Sequence, residues 1–349
     1  MKIGILTLPF NCNYGGLLQC YALQSFLKGL GHEVVVIKRV FPKRISFKNK
    51  AINAIKLLLG RTDKYKKSVA AMRCFENAYI IETLQIKEIR QYDSLLKDKI
   101  DALVVGSDQV WRFDYTKEHY AEYFFDFAEK WTVKRLAFAA SFGVKDWNLG
   151  KKETSKIKKL ASLFDRISTR EESGVKLCQE KLACKATRLL DPAFLLSRDE
   201  YRILYETKKN ETDVIATYIL DLDQEKTKAI KQISQVIGKN VTFIGKDPQT
   251  KIYQPVVDWI KCIDESNLVV TDSFHGVVFS IIFNKPFVLM INENRGAERF
   301  ISLSNTFGPF QYFVPGSSFS SKFVNYLDRD KCKQIIDENK LLSTNFIRV

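Results

Sequence analysis

Thr271-Asp272-Ser273-Phe274-His275-Gly276 gathers polar residues into one short turn, between the apolar runs Leu268–Val270 and Val277–Phe283. An apolar strand, a tight turn and an apolar helix place that turn at the C-terminal end of a parallel strand, where open α/β sheets bind ligands. The turn also starts a helix, whose unpaired N–H groups and dipole favour an anion. Ser273, His275 and Gly276 are therefore candidates for holding one. His275 is one of three histidines in the chain, and a histidine there can donate to a phosphate and move protons near neutral pH. The alternative is a histidine that only caps the helix.

Further groups stand at the ends of other predicted strands. Asn13-Tyr14-Gly15-Gly16 follows the first, and its glycines let backbone approach a ligand closely. A tight turn alone is the other reading. Gly106-Ser107-Asp108-Gln109-Val110-Trp111 follows DALVV. Its carboxylate and amide suit sugar hydroxyls, Trp111 offers a ring face, and Asp108 can serve as a general base. A helix cap with a core tryptophan is the alternative. In Ser168–Ser173, Arg170 presents a planar donor matched to carboxylate or phosphate, or else pairs with Glu171 or Glu172. Arg295 and Arg299, in NENRGAERF, could close an anion pocket or lie at the surface. There is no G-x-G-x-x-G, and Lys38-Arg39 stand where a ribose-binding acid would be needed, which argues against NAD. Walker A and nucleophile-elbow sequences are also missing, and Asp272, Ser273 and His275 are too close in sequence for a triad.

The elements that must position these residues alternate strand and helix, which predicts mainly parallel sheets. Strands are expected at 2–8, 33–38, 101–106, 135–141 and 166–169, and the pattern restarts at 214–220, 241–244, 268–271 and 287–291. Helices include 16–29, 151–163, 224–237, 256–263 and 277–283, with the chain helical after Gly316. The 349 residues divide into halves at 1–192 and 193–349, with a final helix that could cross back. The seven scattered cysteines have no C-x-x-C pair, which points to free thiols in a reducing compartment and gives no metal-site spacing. No apolar run is long enough to span a bilayer, so a cytoplasmic protein is expected. The net charge of +15 favours an acidic partner. Much of it lies in Lys38–Lys67, where interleaved apolar residues suggest a basic segment resting on an anionic membrane surface, or a solvated helical face. No nucleic-acid-binding pattern appears.

NYGGLLQCYALQ, VVGSDQVW, AFAASFG, STREESG, LLDPAFLL and TDSFHGVVFSIIFNKPFV, in this order, resemble the polysaccharide pyruvyl transferase family from about residue 2 to 305. The resemblance implies a GT-B-like fold, with two Rossmann-like doubly wound domains facing a cleft. It implies transfer of the pyruvyl group of phosphoenolpyruvate onto two hydroxyls of a sugar, in a polysaccharide or lipid-linked glycan precursor, giving a ketal and phosphate. Phosphoenolpyruvate is then a co-substrate, with no further cofactor and no metal. It implies that His275 and Arg170 contact phosphoenolpyruvate, joined by Ser273, Gly276 and, less securely, Arg295, since relatives often carry Lys there. Asn13, Tyr14, Gly15, Ser107, Asp108, Gln109 and Trp111 make up the acceptor set, on the opposite side of the cleft. His275 and Asp108 are the candidate catalytic groups. The acceptor could be polyprenyl-phosphate-linked, at the inner face of a membrane. A nucleotide-sugar glycosyltransferase of the same fold and a non-catalytic glycan- or membrane-binding protein are the alternatives.

Overall fold

The computed structural model describes residues 1–10, 12–41, 63–206, 212–291 and 296–348, with side chains of the Asp63–Tyr79 helix from residue 69 onward. Two all-parallel sheets organise it. The first has six strands in the order β2-β1-β3-β4-β5-β6. They are β1 (Lys2–Leu6), β2 (Glu33–Val36), β3 (Ala102–Val105), β4 (Lys134–Ala140), β5 (Arg166–Thr169) and β6 (Thr187–Arg188). The second has five strands in the order β11-β10-β9-β7-β8. They are β7 (Val214–Tyr218), β8 (Asn240–Phe243), β9 (Leu268–Thr271), β10 (Phe287–Met290) and β11 (Tyr312–Phe313). β3 and β9 are buried at every position, as strands covered on both faces by helices must be.

Both sheets reverse direction beside their first strand, between β1 and β3 and between β7 and β9. In a doubly wound sheet the helices part at such a point and leave a crevice at the strand C-termini. The loops after β1, β3 and β9 carry most of the residues singled out above, so topology alone assembles them. The helix Tyr14–Gly29 follows β1, and the helix Phe274–Ile282 follows β9.

Strands β5 and β9 and the helix Gln224–Ile237 fall where periodicity predicts. Other predicted ends move by one to three residues. The short edge strands β6 and β11 carry too few residues to give a pattern. The prediction of helix directly after Gly316 is corrected: apart from a single 3-10 turn at Ser321–Phe323, the chain runs irregularly until the helix Arg329–Ile347. That last helix reaches the first sheet. The rings of Phe346 and Phe138 on β4 are 5.8 Å apart, and Arg166 on β5 donates to the Phe346 carbonyl at 3.1 Å.

Most of Lys38–Lys67 lies outside the described residues. Its two leading cations are not a free surface charge, which corrects their inclusion in a basic patch. Lys38 pairs with Glu76 at 2.8 Å and with Glu82, and buried Arg39 grips Glu122 at 2.6 and 2.9 Å. His119 joins this network through Glu122 at 2.8 Å. No helix among the described residues is long and apolar enough to cross a membrane.

Candidate active site

Asn13 caps the Tyr14–Gly29 helix: its Oδ1 accepts from Gly16 N–H at 3.0 Å, and its Nδ2 donates to Asp108 Oδ2 at 2.9 Å. Asp108 has a φ of +70°, a left-handed conformation that Asp tolerates better than most residues. Its Oδ1 accepts from the Gln109 N–H at 2.9 Å. Each carboxylate oxygen keeps lone pairs beyond these bonds, so Asp108 can still accept from a sugar hydroxyl. Gln109 Oε1 accepts from Arg112 Nη1 at 2.9 Å.

His275 stands in the first turn of the Phe274–Ile282 helix and is buried. The two helix starts meet there. A Cβ on Gly15 would lie 1.8 Å from His275 Nδ1, so no other residue fits at position 15 with the ring in place. Gly276 meets its own strand as closely: a Cβ would lie 2.2 Å from Thr271 Oγ1. Ser273 is the N-cap position, and its backbone N–H donates to Thr271 Oγ1 at 3.0 Å.

Arg170, at the end of β5, is 3% exposed, and its guanidinium lies over the Phe274 ring at 4.4 Å. Its ion-pair partner is neither Glu171 nor Glu172, the two sequence alternatives, but Asp191, whose Oδ2 accepts from Nη1 at 2.6 Å. Nε and Nη2 are buried with no hydrogen-bond partner among the described residues. Glu171 instead accepts from Ser141 Oγ at 3.0 Å and from the Phe142 and Gly143 N–H groups at 2.8 and 2.9 Å, which ties down the loop after β4. Arg299, in the helix Glu298–Phe307, also lies over Phe274, at 5.2 Å, and is buried. Burial first, and Arg170 second, push its pKa down to about 10. Arg295 lies outside the described residues.

Asp191 is the residue that sequence reasoning missed. In LLDPAFLL it reads as punctuation before a proline, and it does cap the 3-10 turn Pro192–Leu195 through Ala193 N–H at 3.0 Å. Its other oxygen also accepts from Ser107 Oγ at 3.1 Å and faces His275 Nε2 at 3.5 Å. Burial works against its charge, but His275, Arg170 and the Ala193 N–H outweigh burial and hold its carboxyl well below the usual range. The signal available in the sequence was a lone carboxylate in an otherwise apolar run.

Two expected acceptor residues are corrected. Trp111 is 1% exposed, stacks on Phe124 at 4.6 Å and donates to the Tyr123 carbonyl at 3.0 Å, so no ring face is left for a sugar. Tyr14 is likewise buried. It stacks on Trp259 at 5.4 Å and donates to the Gln254 carbonyl at 2.7 Å, which fastens the first half to the second. The two sets are also not on opposite sides of the cleft: Ser107 shares Asp191 with Arg170, and Gly15 abuts His275.

Two doubly wound parallel sheets whose strand C-termini meet around Arg170, Asp191 and His275 define a GT-B-like protein. The fold superposes on the UDP-GlcNAc 2-epimerase of Methanocaldococcus jannaschii with a TM-score of 0.54, at 12% identity over 97% of this chain and 92% of that one. The same archaeal enzyme in complex with UDP-GlcNAc and UDP gives 0.50, at 12% identity over 97% and 93%. Likeness at this identity establishes the fold alone. No curated protein matches the chain at a significant level. The family model for polysaccharide pyruvyl transferase matches residues 13–294, and the chain belongs to that family.

Proposed function

We propose that the protein transfers the pyruvyl group of phosphoenolpyruvate to two hydroxyls of a sugar in a polysaccharide or lipid-linked glycan precursor. The observation that carries this reading is the pair of buried arginines over Phe274. Arg170 has two donors without partners among the described residues, and Arg299 has its pKa lowered to about 10 by burial and by Arg170. Buried guanidinium donors left open in this way suit an anion. Phosphoenolpyruvate brings two anionic groups, a carboxylate and a phosphate, and the first turn of the Phe274–Ile282 helix adds N–H donors at His275 and Gly276.

In the proposed reaction a proton adds to C3, which becomes the methyl group, and C2 becomes electrophilic. One sugar hydroxyl attacks C2, and the C2–O bond to phosphate breaks. The second hydroxyl then closes the ketal. Of the two hydroxyl protons released, one replaces the proton consumed at C3 and the other leaves with phosphate. Asp108 is the base for a hydroxyl, with Asn13, Ser107 and Gln109 completing the acceptor set. His275 serves the donor, as proton source or as phosphate ligand. Arg170 and the helix start supply a fixed positive field for the developing charge. The donor is thus held jointly, by Arg170 from the half 1–192 and by His275 and Arg299 from 193–349.

The test is phosphate release from phosphoenolpyruvate against a panel of free and lipid-linked galactosides, glucosides and mannosides, with a nucleotide-sugar arm in parallel. Release with a ketal product is expected, and His275→Ala should abolish it with thermal melting near that of the wild type. Sugar transfer from a nucleotide donor, or wild-type turnover by the variant, would refute the assignment.

A further inference from the structure

We propose that Asp191 is the positioning residue of this site: it aims the unpartnered edge of Arg170 and keeps a proton on Nε2 of His275. The inference rests on the donor reading above and adds a residue to it. The carboxylate is anchored to its own backbone through Oδ1 and Ala193 N–H at 3.0 Å, with Pro192 fixing the chain direction. Oδ2 then accepts from Arg170 Nη1 at 2.6 Å and from Ser107 Oγ at 3.1 Å, and it is the carboxylate oxygen facing His275 Nε2, at 3.5 Å and without a formed hydrogen bond.

A guanidinium is planar, so holding one nitrogen fixes the direction of every other donor. With Nη1 held by Asp191, the remaining buried donors are Nε and Nη2. A carboxylate beside Nε2 favours a proton over a lone pair on that nitrogen, which leaves the lone pair of neutral His275 to Nδ1. Nδ1 is the ring atom turned toward Gly15, at the start of the acceptor-side helix. One buried carboxylate therefore sets the orientation of a cation from the first sheet and the tautomer of a histidine from the second.

Two measurements test this. Long-range 1H–15N imidazole spectra, with His275 assigned against His275→Ala among the chain's three histidines, read the tautomer without substrate. Neutral His275 should carry its proton on Nε2, and Asp191→Asn should turn this into a mixture. A ring protonated mainly on Nδ1 in the wild type overturns the proposal even if phosphoenolpyruvate is turned over. Kinetics then compare Asp191→Asn, Arg170→Lys and the double variant for kcat/KM. Each single change should lose on the order of 10-fold, and the double should lose little more than the worse single. Multiplied losses would mean that Asp191 acts independently of Arg170 and would overturn the aiming role. Should Asp191→Asn fail to fold, Ser107→Ala takes its place, with a loss of about threefold that vanishes beside Arg170→Lys. An Nε2-protonated His275 in a protein that never turns over phosphoenolpyruvate would sink the donor reading while upholding the positioning.

Discussion

At the residue scale, the site depends on contacts that tolerate no added atom and on one carboxylate kept charged in the interior. Gly15→Ala places a methyl group where His275 Nδ1 stands, so the ring must move. Displacing a catalytic group by about an ångström costs on the order of 100-fold in rate. We expect such a loss in kcat/KM with melting temperature little changed; unaltered kinetics would show that His275 has room to shift without consequence. Asp191 gives a pH prediction. Its carboxyl is held below the value of about 3.9 for an unfolded Asp. Its stabilising contribution is therefore fully present above about pH 4 and is lost as pH falls further toward the depressed folded value. Melting temperatures of the wild type and Asp191→Asn, measured from pH 7 to 3, should differ most above pH 4 and converge below it. A constant gap across that range would mean that the charge of Asp191 is not what stabilises it.

At the element scale, the helix Tyr14–Gly29 does two jobs with its first turn. Asn13 and Gly15 face the site, while Tyr14 points into the other half and packs on Trp259. Tyr14→Phe keeps the ring and removes the hydroxyl that reaches the Gln254 and Gly245 carbonyls at 2.7 and 3.3 Å. Losing that hydrogen bond should cost about 1 kcal/mol. Denaturant melts should show it, with KM for the acceptor unchanged. A raised acceptor KM with unchanged stability would return Tyr14 to the acceptor site. Trp111 has a comparable place in the first half, filling the core beneath the loop that carries Asp108.

At the scale of the whole molecule, the two sheets bring the C-terminal ends of β1, β3, β5 and β9 together, and the last helix returns to β4 and β5. The net charge of +15 remains to be given a use. With Lys38 and Arg39 committed to internal ion pairs, the expectation of an anionic membrane surface rests on the rest of Lys38–Lys67, most of which lies outside the described residues. Co-sedimentation with anionic vesicles should weaken as the screening length falls from about 10 Å at 0.1 M salt to about 3 Å at 1 M. Substituting Lys43, Arg44, Lys48 and Lys50 should abolish it. Equal binding to neutral vesicles, or none to either kind, would leave the segment without a membrane role.

Strand and helix order, the doubled α/β plan and the strand-end placing of Asn13, Asp108, Arg170 and His275 were legible in the sequence. Apolar periodicity and strand-end polarity are local properties, and the chain carries them residue by residue. Family membership was legible for the same reason: its motifs are contiguous. Tertiary structure decided what depends on partners far away in the chain. A buried tryptophan and a sugar-stacking one have the same spacing, and only the surrounding Phe124 and Tyr123 show that Trp111 is the former. Arg170 had two acidic neighbours in sequence and paired with neither, because β5 and the turn after β6 carry it to Asp191. A side chain's neighbours along the chain are fixed by sequence, but its charge partners are fixed by which strand ends the sheet order brings together.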